Sequence, residues 1–354
     1  HRLENIVKDL KTLLRQYALL MVLVLPLLVM ATGCSDDDDG PTDPPATLPE
    51  AELLIAELEG NMGDYMNTKA PAIVKADAVY EDINGPQNFY IIDIRSASDF
   101  ASGHIDGAKN VVATDVLSHV EGLAKDKKIV MVCYSGQTAA FVTAILRMSG
   151  YTEVASMKYG MSSWNPAFDR ISAKCSSQYS GVFSSTPHPK AAAGAFPTLT
   201  TGKSTGAAIL ADRIATVNTA GFGAHTIGAS TVIENPNDYY IVNYWSEAHY
   251  TGIGHIPGAM QYTPKADLMS TTFLNTLPTD KPVVVYCYTG QTSANVAAIL
   301  SVMGYEAKSL VYGTQGMIWD DVTAAGATAR TCLTEPKTAD AGLGTTVQRS
   351  VVSA

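Results

Sequence analysis

Two cysteines stand in the same local setting. Cys133 ends the apolar run Ile129-Val-Met-Val and is followed by Tyr134, Ser135, Gly136, Gln137 and Thr138. In the second half of the chain Cys287 ends Val283-Val-Val-Tyr and is followed by Tyr288, Thr289, Gly290, Gln291 and Thr292. A cysteine placed where a buried strand stops and a helix begins meets free backbone N–H groups and the positive end of the helix dipole, which favour a thiolate and bind anions. The chemistry on offer is a sulfur nucleophile beside an anion site, present twice. A cysteine that merely filled a core would need neither the glycine three residues on nor the threonine five residues on, in duplicate.

Each loop residue has an expected part. The amides from Tyr134 to Thr138 and from Tyr288 to Thr292 stabilise negative charge, and Gly136 and Gly290 let the backbone wrap closely. Gln137 and Gln291 are expected to face a ligand, because a polar side chain repeated beside a nucleophile is hard to attribute to packing. Tyr134 and Tyr288 either line the mouth of the pocket or cover the loop.

Further landmarks recur in order. Upstream are Phe100-Ala-Ser-Gly-His104-Ile-Asp-Gly-Ala108 and Tyr250-Thr-Gly-Ile-Gly-His255-Ile-Pro-Gly-Ala259; downstream are Gly160-Met-Ser-Ser-Trp164 and Gly316-Met-Ile-Trp319. In combination these segments resemble the rhodanese (sulfurtransferase) family. The resemblance implies an α/β chain of two rhodanese-like domains, each a parallel five-stranded sheet with helices on both faces. It also implies that Cys133 and Cys287 take the outer sulfur of a small sulfur anion as a covalent persulfide and pass it to a thiol acceptor, with no cofactor and no metal. Asp93-Ile-Arg95 followed by Asp99 resembles a family element in which Arg95 pairs with Asp99 for a structural purpose. The second repeat has Asn243-Tyr-Trp245 and His249 there instead. His104 and His255 are expected to fix turns. Two departures stand out: both loops keep their cysteine, and neither carries a cation.

The elements that must hold these residues can be read from periodicity. In the first repeat, strands are expected near Ile73, at 89–94, at 110–112, before Cys133 and at 153–157, with helices near 77–82 and 116–124 between them. Alternation of strand and helix points to parallel sheets covered on both faces. Helices at 52–66 and 207–219 are expected to open the two repeats.

The 354 residues carry a net charge of −10 and have no basic tract, which argues against nucleic acid as a partner. Residues 1–33, with Lys8, Lys11, Arg15 and the apolar run from Ala18 to Met30, read as a signal peptide. Ala31-Thr-Gly-Cys34 resembles a lipobox, so Cys34 is expected to carry lipid and anchor an exported protein at the periplasmic or cell-surface face of an outer membrane. Residues 34–49 read as an acidic, proline-rich tether, 50–175 as the first domain, 176–204 as a linker, 205–332 as the second domain and 333–354 as a frayed tail. Cys175 and Cys332 form a disulfide, remain buried thiols, or resolve the loop persulfides.

Three function classes fit. The first is an exported sulfurtransferase working through persulfides. The second is a binding or carrier module, without turnover, for persulfide or a chalcogen oxyanion such as selenite. The third is an assembly component resembling tandem rhodanese-like lipoproteins that accompany cytochrome conduits.

Overall fold

A computed structural model describes residues 48–327 and 349–352. The leader, Cys34, most of the tether and Cys332 lie outside the described residues. The first repeat contributes β1 (Ile73–Val74), β2 (Tyr90–Asp93), β3 (Lys109–Asn110), β4 (Ile129–Val132) and β5 (Val154–Met157), arranged β1-β5-β4-β2-β3. The second contributes β6 (Thr226–Ile227), β7 (Tyr240–Asn243), β8 (Met260–Gln261), β9 (Val283–Tyr286) and β10 (Ala307–Leu310), arranged β6-β10-β9-β7-β8. Every strand pair in both sheets is parallel.

The central strands are apolar at every position because both of their faces are covered. In β4, Val130 and Val132 pack with Val79, Met161 and Trp164, while Ile129, Met131 and then Cys133 pack with Val142 and Leu146. In β9, Val284 and Tyr286 pack with Trp245 and Val322, while Val283 and Val285 join Val296 and Leu300. Alternation along a strand therefore directs each loop cysteine toward the face covered by the helix that follows it.

Four helices join the repeats. They are α1 (Glu50–Glu59), α2 (Gln137–Met148), α3 (Gly206–Ala224) and α4 (Gln291–Val302). One apolar cluster takes Leu54 and Leu58 from α1, Phe141 and Ile145 from α2, Ile209 and Ile214 from α3, and Val296 and Ile299 from α4. The two opening helices thus seal the layer between the loop helices. A Cβ on Gly206 would overlap the Leu53 carbonyl oxygen, so glycine is what lets α3 start against α1. At the same corner the Glu50 carboxylate accepts hydrogen bonds from the amides of Thr201 and Gly202, both at 2.7 Å.

Three helix boundaries differ from the periodic expectation; the helix expected at 116–124 stops at His119, where the chain turns at Val120. α1 ends at Glu59 rather than near Met66, because Gly60 leaves helical geometry (φ −92°, ψ −90°); Gly63 (φ 68°) and Asp64 (φ 47°) are left-handed, and Asp64 then caps the separate turn Tyr65–Thr68. α3 runs on to Ala224 through a non-helical Gly221 (φ 69°).

The tail is a correction. Residues 349–352, expected to fray, dock on the first repeat: the amides of His104 and Val352 donate to each other's carbonyls at 3.0 Å, and the Trp164 indole donates to the Ser350 carbonyl at 3.0 Å. Arg349 adds a bond to the Ser163 carbonyl and an ion pair with Asp77. The segment leaving the first repeat docks on the second in the same way, with Ser184 and His255 exchanging bonds of 2.8 Å. Both histidines do hold turns, His104 through Nδ1 to the Phe100 carbonyl and His255 through Nδ1 to the Tyr250 carbonyl, each at 2.9 Å. They also receive the exchanged segment.

Because one core serves both repeats, they should unfold together. Ile209→Ala, at a fully buried position of α3, is expected to cost about 2–5 kcal/mol and to lower a single urea transition. Two separated transitions, one unaffected, would contradict this.

Candidate active site

Cys133 lies one residue beyond β4, where the carboxyl ends of parallel strands open toward ligands. Its Sγ accepts hydrogen bonds from the amides of Gly136 (3.1 Å) and Ala139 (3.5 Å). Cys287 is placed likewise after β9: its Sγ accepts from the Ser293 amide at 3.4 Å, and its thiol donates to Ser293 Oγ at 3.6 Å. Both are free thiols and both are buried. The expected ease of ionisation is not realised at Cys133. Burial pushes its thiol up from the ordinary cysteine value; the amides of Ala139, Ser135 and Gly136 pull it back, and the Asp93 carboxylate adds to the upward push. Desolvation of a full charge outweighs three backbone dipoles.

The loop glycines are required by backbone geometry. Gly136 and Gly290 take left-handed φ values of 83° and 81° immediately before α2 and α4. A second glycine closes each site from below. Gly160 (φ 55°) sits where a Cβ would overlap the Cys133 carbonyl oxygen, and Gly313 (φ 56°) sits the same way on Cys287. The next amides, Met161 and Thr314, donate to those carbonyls at 2.8 and 3.0 Å. The closing segment of the second repeat therefore begins at Gly313, and not at Gly316 as the Trp319 spacing suggested. Buried Met317 takes the place that Trp164 fills in the first repeat.

Gln137 and Gln291 do not face a ligand pocket through their amides. Both are buried, and each reaches across to the other repeat. Gln137 Oε1 accepts from the Tyr312 amide (2.9 Å), and Gln291 Oε1 accepts from the Tyr159 amide (3.2 Å). Gln291 Nε2 donates to Ser156 Oγ at 2.9 Å, while Gln137 Nε2 donates to Ser135 Oγ at 3.0 Å. A repeated polar residue beside a nucleophile is explained here by the interface. Ser135, Thr138, Thr289 and Thr292 stay half-buried in their loops.

The surroundings of the two thiols differ. Near Cys133 the centre of the Tyr134 ring lies 5.1 Å from the Arg95 guanidinium and 4.9 Å from that of Arg170. Arg95 pairs with Asp93 through bonds of 2.7 and 3.0 Å, and not principally with Asp99, which accepts from Ser96 Oγ at 2.6 Å. Near Cys287, Tyr288 packs on Trp245 with ring centroids 4.8 Å apart, and its hydroxyl bonds to His249 Nδ1. Burial pushes Tyr244 and Tyr288 up to about 12, with Cys287 adding to both shifts. Tyrosines stand beside both thiols, but only the first also has cations and a buried carboxylate near it.

Three residues around the thiols were missed from sequence. Tyr159 and Tyr312 precede the closing glycines, and the repeated Tyr-Gly pair was a signal that could have found them. Arg170 had no signal, because the matching position of the second repeat is Thr323. Cys175 is in a disulfide.

Two measurements check this geometry. With its thiol held up by burial, Cys133 should react with iodoacetamide at a rate still climbing beyond the ordinary thiol value of about 8.5; a plateau below neutral pH would mean a stable thiolate instead. Gln291→Ala leaves the buried Tyr159 amide without its glutamine acceptor and should cost about 1–3 kcal/mol in urea unfolding, an effect that a ligand-facing side chain would not produce.

Comparison with known proteins agrees with the duplicated layout. The Rhodanese-like domain family matches residues 75–167 and 232–317. The thiosulfate sulfurtransferase GlpE of Shewanella oneidensis is 38% identical over 78 residues, covering 22% of this chain and 76% of that protein. GlpE of Pseudomonas putida is 32% identical over 78 residues, covering 22% of this chain and 71% of its own. Among solved structures, a rhodanese-like domain protein from Staphylococcus aureus is 20% identical and covers 28% of this chain and 93% of its own, with a TM-score of 0.25. With two matching α/β sheets, a cysteine at the same strand end in each, and the family match spanning both repeats, the chain belongs to the rhodanese-like domain family and carries the domain twice.

Proposed function

We propose that this protein is a sulfurtransferase that carries sulfane sulfur as a persulfide on its loop cysteines, exported and held at an outer membrane by lipid on Cys34. The observation that carries the reading is the strand-end thiol whose sulfur accepts amide hydrogen bonds from the first turn of the following helix, at Gly136 and Ala139 for Cys133 and at Ser293 for Cys287. The similarity to thiosulfate sulfurtransferases supports it, as does the basic, apolar leader ending at Cys34.

In the first half-reaction Cys133 sulfur attacks the outer sulfur of thiosulfate. The donor S–S bond breaks, its electron pair leaves on sulfite, and the thiol proton goes with it as bisulfite. The enzyme is left with a persulfide anion whose charge sits on the terminal sulfur, one atom beyond the Sγ that accepts from the backbone amides. In the second half-reaction a thiophilic acceptor such as cyanide or a thiolate attacks the terminal sulfur, and the cysteine leaves as thiolate. Cys133 and Cys287 are the two sulfurs open to loading, each from its own donor, and a small sulfur anion and a thiol are the partners this chemistry requires.

Intact mass of a form lacking residues 1–34, after exposure to thiosulfate, polysulfide or selenite, tests the reading. From thiosulfate or polysulfide an added sulfur of about 32 Da, from sulfur's atomic mass, is expected. It should be lost in Cys133→Ser or Cys287→Ser according to its site and be discharged by cyanide. No uptake from any donor at either cysteine would overturn the proposal.

A further inference from the structure

The loop sequence around Cys133 contains no cation, yet the fold brings one to it. Arg170 follows the closing segment of the first repeat, and its position is tied to the loop through one hydroxyl: its amide donates to Ser162 Oγ at 3.0 Å, and that hydroxyl donates to the Tyr134 carbonyl at 2.7 Å. Its guanidinium lies 4.9 Å from the centre of the Tyr134 ring, and the residue is exposed. Tyr312 of the second repeat reaches the same loop. Its amide is fixed to Gln137, four residues past Cys133, and its left-handed φ of 63° turns the chain there. Its phenol feels both partners: burial raises it, the Cys133 sulfur raises it further, and Arg170 lowers it.

The second site lacks this arrangement. The counterpart of Ser162 is Gln315, whose buried amide group has no hydrogen-bond partner among the described residues, and the counterpart of Arg170 is Thr323. The counterpart of Tyr312 is Tyr159, which is buried rather than half-buried.

We propose that Arg170 and the phenol of Tyr312, one from each repeat, form the mouth of the Cys133 site and bind the oxyanion end of a sulfane donor such as thiosulfate. Cys133 thereby takes its donor from a site that neither repeat completes alone, and Cys287 is not a thiosulfate-accepting position. The inference rests on the persulfide reading above for the sulfur transfer after binding, but not for binding itself. A guanidinium and a phenol offer charge-assisted and neutral donors to the trailing oxygens, while the sulfane sulfur points inward to the thiol.

The test separates binding from sulfur transfer. Sulfate, an oxyanion with no sulfane sulfur, is titrated at constant ionic strength against iodoacetamide alkylation of Cys133, and thiosulfate loading is read in parallel by intact mass. Sulfate should protect Cys133 in the wild type. Half-protection should need about tenfold more sulfate in Arg170→Gln, as expected for a lost charge-assisted bond, and a few-fold more in Tyr312→Phe, while Arg170→Lys recovers part of the loss. Half-saturating thiosulfate for Cys133 loading should shift in the same order with the final extent of loading unchanged, and loading should weaken with added salt in the wild type more than in Arg170→Gln. Equal sulfate protection in wild type, Arg170→Gln and Tyr312→Phe, or thiosulfate loading at Cys287 in preference to Cys133, would overturn this inference. Protection by sulfate without any sulfur uptake would instead overturn the sulfurtransferase reading and leave the anion site standing.

Discussion

The packing of α2 against α4 holds both cysteine sites in place. Each of these helices begins at a loop glycine and carries the amides that its own cysteine faces, so the interface between them fixes both sites at once. Apolar side chains supply most of the driving force, and three amide side chains set the register. Gln137 and Gln291 each accept from a backbone amide of the other repeat, and buried Asn295 donates to the Tyr65 hydroxyl at 3.0 Å and the Ala140 carbonyl at 3.1 Å. A buried polar group left unmatched costs more than the bond gains. Sliding one helix past the other would leave several unmatched together.

The same burial governs reactivity. A thiol at a helix N-terminus is commonly expected to ionise readily, but the amides here act against removal of the sulfur from water, and at Cys133 desolvation prevails. Such a sulfur is held away from solvent, and burial favours its thiol form.

Duplication has kept the frame and changed the lining. Both repeats retain strand order, loop glycines, closing glycines and exchanged tails. Around the first thiol, Asp93 and Arg95 form a buried pair with Arg170 nearby; around the second, the same positions hold Asn243, Trp245 and Thr323. The buried Asn243 amide bonds to the Tyr286 hydroxyl at 2.7 Å, so a charge pair has been replaced by a neutral one. Aromatic rings fill the volume that ions held.

Much of this was legible in the chain. The β-branched runs, their breaks and the helix-periodic stretches identified the strands of the first repeat and the helices that follow the two cysteine loops, since alternation and helical period are local consequences of backbone geometry. The cysteine, its glycine and the helix beyond were legible for the same reason, and the doubling of the pattern set the number of domains. Direction across the molecule was not legible. Gln137 looks the same whether it meets a ligand or the Tyr312 amide, and Gly316 looks as good a closing glycine as Gly313 until one of them must pass beneath the Cys287 carbonyl. Residues 349–352 look like a loose end until the Trp164 indole and the His104 backbone are seen to need partners. Strand, loop and helix arise from interactions a few residues apart, so the order of residues was enough to show two strand-end cysteine loops. Which side chains surround them depends on contacts between segments far apart in the chain. It took the folded arrangement to bring Arg170 and Tyr312 to the Cys133 loop and to set Trp245 and His249 against Tyr288 beside Cys287.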